Sequence, residues 1–314
     1  MKSVRRAGGI TGLIRPAGKG YVSVIVAVVV AACLFLPCRW TQAQAGSDVV
    51  VTKDIPYIEI AGFDKSLTSL DVYRPTATTG CPVVVFIHGG AWRMGDKKYH
   101  RDIGVFFAEK HYLAVIVNYR LSPAAIHPAH VEDVAAAIAW VVHNIEGYGG
   151  DPSRIFVMGH SAGAHLAALV ATDGRYLAAH GLGLETLSGA IPIDGAGFDV
   201  TELVTTHERA YGRMYRTAFG DDPNNWADGS PINHVGPGKS IPPFLVIWAG
   251  SADEARPQTQ RFAEVLAGAG VPVETYHAQD KTHMTILADI GKTGDETTAR
   301  ILAFLRRLGT KKVP

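Results

Sequence analysis

The chain of 314 residues carries 30 Lys+Arg against 29 Asp+Glu, 47% hydrophobic residues, 34 Gly, 17 Pro and 3 Cys. That length holds one large domain or two small ones, and the apolar share excludes an intrinsically disordered chain. Residues 1–45 hold six basic residues and no acidic one, leaving 24 basic against 29 acidic residues over 46–314, a balance that argues against charge-driven nucleic-acid binding and favours small neutral or mildly polar substrates.

The chain opens with a basic stretch, an apolar run from Val22 to Leu36 and the sequence Thr41-Gln42-Ala43-Gln44-Ala45. Small residues at 43 and 45 meet the requirement of signal peptidase, so residues 1–45 are expected to be a signal peptide cleaved after Ala45, with a secreted or periplasmic product. The competing reading is a retained membrane anchor, but the run has 15 residues and ends at Pro37, whereas a span takes roughly 20. A third reading is local: Val30-Ala31-Ala32-Cys33 resembles a lipobox in which Cys33 would be lipidated, although Leu34, Phe35 and Leu36 carry the apolar run past that point. Cleavage after Ala45 removes Cys33 and Cys38 and leaves Cys81. No intrachain disulfide is then possible, and the cysteines lack a zinc or iron–sulfur spacing. Cys81 reads as a partly buried structural thiol.

Beyond residue 46, short β-branched and aromatic runs alternate with helical patterns. Val49 to Ile60 and Leu67 to Tyr73 read as an opening antiparallel pair of strands. Val83 to Ile87, Leu113 to Val117, Ile155 to Met158, Gly189 to Ile193, Phe244 to Ala249 and Val271 to Tyr276 read as short strands buried on both faces. Helices are predicted over about Lys98 to Lys110, Val131 to Ile145, Ala162 to Thr172, Gln258 to Ala269 and Thr297 to Leu308. In the second of these, Val131, Val134, Ala135, Ile138, Val141 and Val142 repeat at helical spacing, with Glu132 and Asp133 in the first turn, where negative charge is favoured. The alternation predicts a single α/β domain over 46–314: a mostly parallel sheet of up to eight strands with helices on both faces. Residues 195–238 break the rhythm and read as an insertion that shapes a substrate pocket.

The strongest local signal is Gly159-His160-Ser161-Ala162-Gly163, between an apolar strand and a helical run. The glycines permit a tight strand-to-helix turn that lifts the Ser161 hydroxyl above the sheet edge as a nucleophile. The bland alternative is a serine that caps the helix. A serine nucleophile needs a base and an orienting carboxylate. Asp253, on the loop after the strand Phe244 to Ala249, and His283, after the last strand, supply them at the sheet edge where open α/β folds bind ligands. Glu254 and Asp280 are the rival carboxylates and His277 the rival base, while His160 and His165 read as packing or hydrogen-bonding residues. The second signal, His88-Gly89-Gly90-Ala91-Trp92, follows the strand Val83 to Ile87. Backbone N–H groups of Gly89, Gly90 and Ala162 suit an oxyanion hole. His88 reads as a brace of this loop, and Trp92 as a pocket wall or a core aromatic beneath it. Attack by Ser161 on a carbonyl, with His283 moving the proton, asks for no metal or organic cofactor, and the G-x-G-x-x-G spacing of a dinucleotide loop is absent.

On these motifs the chain resembles the α/β-hydrolase superfamily, in the esterase/lipase branch with an HGG oxyanion loop. Further landmarks are Asn118-Tyr119-Arg120-Leu121-Ser122-Pro123, His127-Pro128 and Gly149-Gly150-Asp151-Pro152-Ser153-Arg154. Ala91 stands where hormone-sensitive-lipase-like esterases have a third glycine, and His160 where they have aspartate, so the sequence is more similar to arylformamidases and BD-FAE-like carboxylesterases. The resemblance implies a Ser161, Asp253 and His283 triad and hydrolysis of small esters or N-formyl aromatic amides. Expected export favours a short-chain carboxylesterase over an arylformamidase, which the resemblance makes an intracellular enzyme. A catalytically dead binding module of the same fold is a third reading, opposed by the complete constellation. The expected partner is a small-molecule ester or amide, without nucleic acid and without a stable membrane span after processing.

Overall fold

The computed structural model describes residues 48–250 and 256–310. The expectations for the signal peptide, Cys33 and Cys38 therefore lie outside the described residues, as do Asp253 and Glu254. Eight β-rich runs form one sheet: β1 (Val49–Pro56), β2 (Ser69–Pro75), β3 (Cys81–Ile87), β4 (Leu113–Val117), β5 (Gly150–His160), β6 (Leu187–Ile193), β7 (Phe244–Ala249) and β8 (Val273–Ala278). Their order is β1-β2-β4-β3-β5-β6-β7-β8. β1 and β2 are antiparallel, β2 meets β4 antiparallel, and every later pairing is parallel. The predicted α/β architecture is observed.

Burial on both faces explains the unbroken apolar runs. In β3, Val83, Val85 and Ile87 join one core cluster and Val84 and Phe86 the other, all at 0% exposure, as the twofold side-chain period of a strand requires. Each such side chain stabilises the fold by about 1.5–3 kcal/mol relative to an exposed one. Helices α1 (Arg101–Glu109), α2 (Ala129–Asn144) and α3 (Ala162–Thr172) follow β3, β4 and β5, and a short α4 (Gly174–Ala178) precedes β6. Phe107 of α1 packs in the cluster of Val84 and Phe86, whereas Val131 of α2 and Leu166 of α3 join that of Val83.

Between β6 and β7 lies the insertion, with α5 (Val200–Thr206), a π-helical turn (Glu208–Gly212), α6 (Arg213–Phe219), α7 (Pro223–Asp228) and a 3-10 turn (Pro231–His234). It is more helical than its Gly, Pro, Asp and Asn content suggests. Phe198, Tyr215, Phe219 and Trp226 are buried and join the main core. α8 (Arg256–Gly268), α9 (Thr285–Ala288) and α10 (Glu296–Leu308) complete the chain. Sequence and structure differ at ends, where β5 runs back to Gly150 and β8 starts at Val273 and continues to Ala278, and in the burial of β8, expected on both faces but partial because the strand lies at the sheet edge with Glu274 and Thr275 exposed. Cys81 is buried at 2% exposure and burial raises its thiol pKa. Among the described residues no helix is long and apolar enough to cross a membrane.

Candidate active site

Ser161 sits between the end of β5 and the first residue of α3 with φ +56° and ψ −121°. A non-glycine residue in that region is strained and persists only where its surroundings fix it. The Ser161 N–H donates to Ile193 O at 3.0 Å, and Ser161 O accepts from Ala164 N–H at 2.9 Å. The turn also needs bare backbone at position 163: a Cβ on Gly163 would lie 2.1 Å from Ile87 O. That contact locks the start of α3 against the end of β3.

His283 reaches Ser161 from the loop after β8, its Nε2 3.1 Å from Ser161 Oγ. Its Nδ1 lies 2.6 Å from Oδ2 of Asp194, the residue that follows β6. A carboxylate only accepts, so Nδ1 carries the proton and Nε2 is left to take one from the serine. Asp194 Oδ1 accepts from Ala249 N–H at 2.7 Å. Burial raises the Asp194 pKa, but the hydrogen bonds from His283 and Ala249 outweigh it and the net shift is downward. The Ser161–His283 pair is brought together as the sequence suggests, while Asp253 lies outside the described residues and Asp194 was not singled out. The available signal was Ile191-Pro192-Ile193-Asp194, an acid directly after a buried strand at the same sheet edge.

The elbow residue His160 braces the base. Its Nε2 donates to His283 O at 2.8 Å, and the two rings lie 4.6 Å apart. Burial lowers the His160 pKa to about 4, so the ring is neutral near pH 7. His165 packs as expected, with Nε2 donating to Gly229 O of the insertion at 2.7 Å. His277 stacks on Trp248 at 5.6 Å, and Asp280 lies 3.8 Å from Lys281.

The loop after β3 adjoins the serine. A Cβ on Gly89 would fall 2.8 Å from His160 O and 3.0 Å from Ser161 Cβ, so only glycine lets this backbone approach so closely. Gly90, with φ +120°, turns the chain away. Ala162 opens α3, whose first N–H groups have no acceptor within the helix and whose dipole favours negative charge. His88 is buried, donates from Nδ1 to Gly89 O at 2.8 Å and stacks on Tyr119 at 4.5 Å. Burial lowers its pKa to about 4, which suits a brace rather than a proton carrier. Trp92, expected as a pocket wall or a core aromatic, is 2% exposed. Its ring packs on His165, Tyr215 and Phe219 at 5.1–5.2 Å, which places it in the core joining loop and insertion.

His160, Asp194 and His283 bring three potential ligand atoms within 4.8 Å of one another, but the bonds just described already engage the imidazoles. A second group, Asp173, Asp228 and His234, has its charge met by Arg175, which lies 2.5 and 2.6 Å from the two carboxylates.

Comparison with known proteins agrees with this geometry. The BD-FAE family matches residues 70–266. Esterase LipQ of Mycobacterium tuberculosis is 34% identical over 246 residues, covering 74% of this chain and 56% of that protein. Isoprenylcysteine alpha-carbonyl methylesterase ICME of Arabidopsis thaliana is 30% identical over 292 residues, 87% of this chain and 67% of the relative. The chain thus spans between about half and two thirds of the length of these relatives. Among solved structures, the hyperthermophilic esterase of Pyrobaculum calidifontis superposes with a TM-score of 0.67 at 26% identity, covering 83% of this chain and 86% of that one. Esterase B of Lactobacillus rhamnosis shares the fold, with a TM-score of 0.68 at 22% identity and coverage of 83% and 85%. The chain belongs to the BD-FAE family, in the esterase/lipase branch of the α/β-hydrolase fold.

Proposed function

We propose that the protein is a serine hydrolase of small, short-chain carboxylic esters. The observation that carries this reading is the 3.1 Å approach of His283 Nε2 to a Ser161 hydroxyl held in the strained strand-to-helix turn. Ser161 Oγ attacks the ester carbonyl as His283 takes its proton, and the tetrahedral oxyanion forms against the N–H groups of Gly89, Gly90 and Ala162. Collapse breaks the bond to the alcohol, which leaves with the proton from His283. Water then attacks the acyl-serine by the same route and releases the acid. The triad expected from sequence includes Asp253, which lies outside the described residues, while the carboxylate found at His283 Nδ1 is that of Asp194.

The His283 side chain is 46% exposed, so the base is open to an approaching substrate. The relatives above carry esterase names, among them one for a methyl ester. Export with removal of residues 1–45 belongs to the same proposal. N-terminal sequencing of the secreted or periplasmic product should start at Gly46, and recovery of a Met1-bearing product in the membrane fraction would instead assign an anchor. The activity is tested by kcat/KM on p-nitrophenyl acetate, butyrate and octanoate beside an N-formyl aromatic amine, with Ser161→Ala as the blank. Preference for acetate or butyrate, abolished in the blank, is the expected result. A formyl amide preferred by more than about tenfold, roughly 1.4 kcal/mol of transition-state binding, makes the protein an arylformamidase-like hydrolase instead.

A further inference from the structure

We propose that Asp194, at the end of β6, is a positioning residue for the reaction: its carboxylate accepts the Nδ1–H of His283 and holds the imidazole toward Ser161. This rests on the serine-hydrolase reading above and adds a carboxylate that the sequence motifs do not mark. The bond of 2.6 Å has the length of a charge-assisted one.

The rest of the environment fixes where that carboxylate points. Asp194 has φ +47°, a conformation unfavourable for a residue with a Cβ. Its backbone N–H donates to Ile247 O and its Oδ1 accepts from Ala249 N–H, each at 2.7 Å. Two bonds to β7 thus hold a strained residue in place and leave Oδ2 for the histidine, and the side chain is 14% exposed. The neighbouring Ile193 carbonyl accepts the Ser161 N–H. Nucleophile and carboxylate therefore follow adjacent strands, with the Ser161 N–H bonded to the residue before Asp194, and His283 bridges their side chains. From the other side, His160 holds the His283 carbonyl. The base is clamped at ring and backbone by residues that close β6 and β5.

The test compares full-chain wild-type, Asp194→Asn, Asp194→Glu and Ser161→Ala on p-nitrophenyl butyrate between pH 5 and 9, with rates read only where circular dichroism shows the protein native. Asn keeps an oxygen for Ala249 N–H but presents no charge to Nδ1–H. The same change in a serine-protease triad lowers kcat by about 10⁴-fold, and a loss beyond about a hundredfold is expected here. A carboxylate favours protonated imidazole, so its removal must also move the acidic limb of kcat/KM to lower pH. A role confined to holding Ala249 would leave that limb in place. Asp194→Glu, which keeps the charge, should recover at least tenfold over Asn with the limb near its wild-type position. A loss under tenfold in Asp194→Asn, or a limb that does not move, overturns the assignment. If the Asn variant lacks a native circular dichroism spectrum, the Glu variant decides: a wild-type limb supports the assignment and a displaced one overturns it. Wild-type activity that survives in Ser161→Ala, or no activity on any ester, counts against the serine-hydrolase reading itself. An active wild-type, a dead Ser161→Ala and a fully active Asp194→Asn count against Asp194 alone.

Discussion

Acidification should unfold this protein well above the pKa range of its carboxylates, because four histidines are buried in neutral form. His88, His130, His160 and His165 are all buried, and burial lowers their pKa values to about 4, 3, 4 and 3. The unfolded chain titrates them near 6.5. Between those limits the unfolded state binds more protons than the native one, so stability rises with pH and is lost as pH falls below about 6.5. At pH 5 each such histidine costs about 2 kcal/mol relative to pH 7.5, and the four together are on the order of the whole stability of a domain. Urea melts at 25 °C from pH 7.5 to 5 should show a falling midpoint with little change in slope. His130→Gln removes one titrating group, whatever it costs at neutral pH. It should flatten the pH dependence between 5 and 6 by about 1.4 kcal/mol per pH unit. A midpoint that stays constant from pH 7.5 to 5, or a His130→Gln slope equal to wild-type, would refute the reasoning.

Three substitutions probe the site framework. Gly163→Ala places a Cβ 2.1 Å from Ile87 O, so α3 must move away from β3; a loss of more than about 3 kcal/mol in urea melts and of nearly all esterase activity is expected. His160→Ala leaves the His283 carbonyl without its donor and a cavity behind; stability should fall by about 3 kcal/mol and kcat by about tenfold or more, with His160→Gln, which can donate, restoring part of the rate. Trp92→Ala should cost about 3–5 kcal/mol, and Trp92→Phe far less, as read by thermal melts. If Trp92→Ala melts like wild-type and changes only substrate preference, the side chain acts as a pocket wall.

The fold was legible because burial on both faces of a parallel sheet demands apolar runs such as Val83 to Ile87, and the turn at Ser161 demands glycines where backbones touch. Strand ends were less so: β5 begins at Gly150 among polar residues, where one pairing with Cys81 lies beyond an irregularity before Ile155 that side-chain pattern does not mark. Ser161 and His283, which the structure brings within 3.1 Å, could be singled out because each follows a strand in a recognisable setting. Asp194 was missed because its role depends on a partner 89 residues away, a pairing that only the sheet order creates. Trp92 was undecided for a related reason. The sequence places it after the oxyanion loop, but only the folded insertion supplies the Tyr215 and Phe219 rings that bury it.

That burial ties changes in the insertion to the loop beside the serine. Trp92 stands two residues after Gly90 and its carbonyl accepts from Ser122 N–H at 2.8 Å, while its ring lies among residues of the insertion. The insertion is therefore mechanically joined to the loop whose Gly89 backbone lies against Ser161. A smaller side chain at Tyr215 or Phe219 opens space beside the indole, so a change within the insertion is felt in the loop beside Ser161 until another substitution refills the space around Trp92.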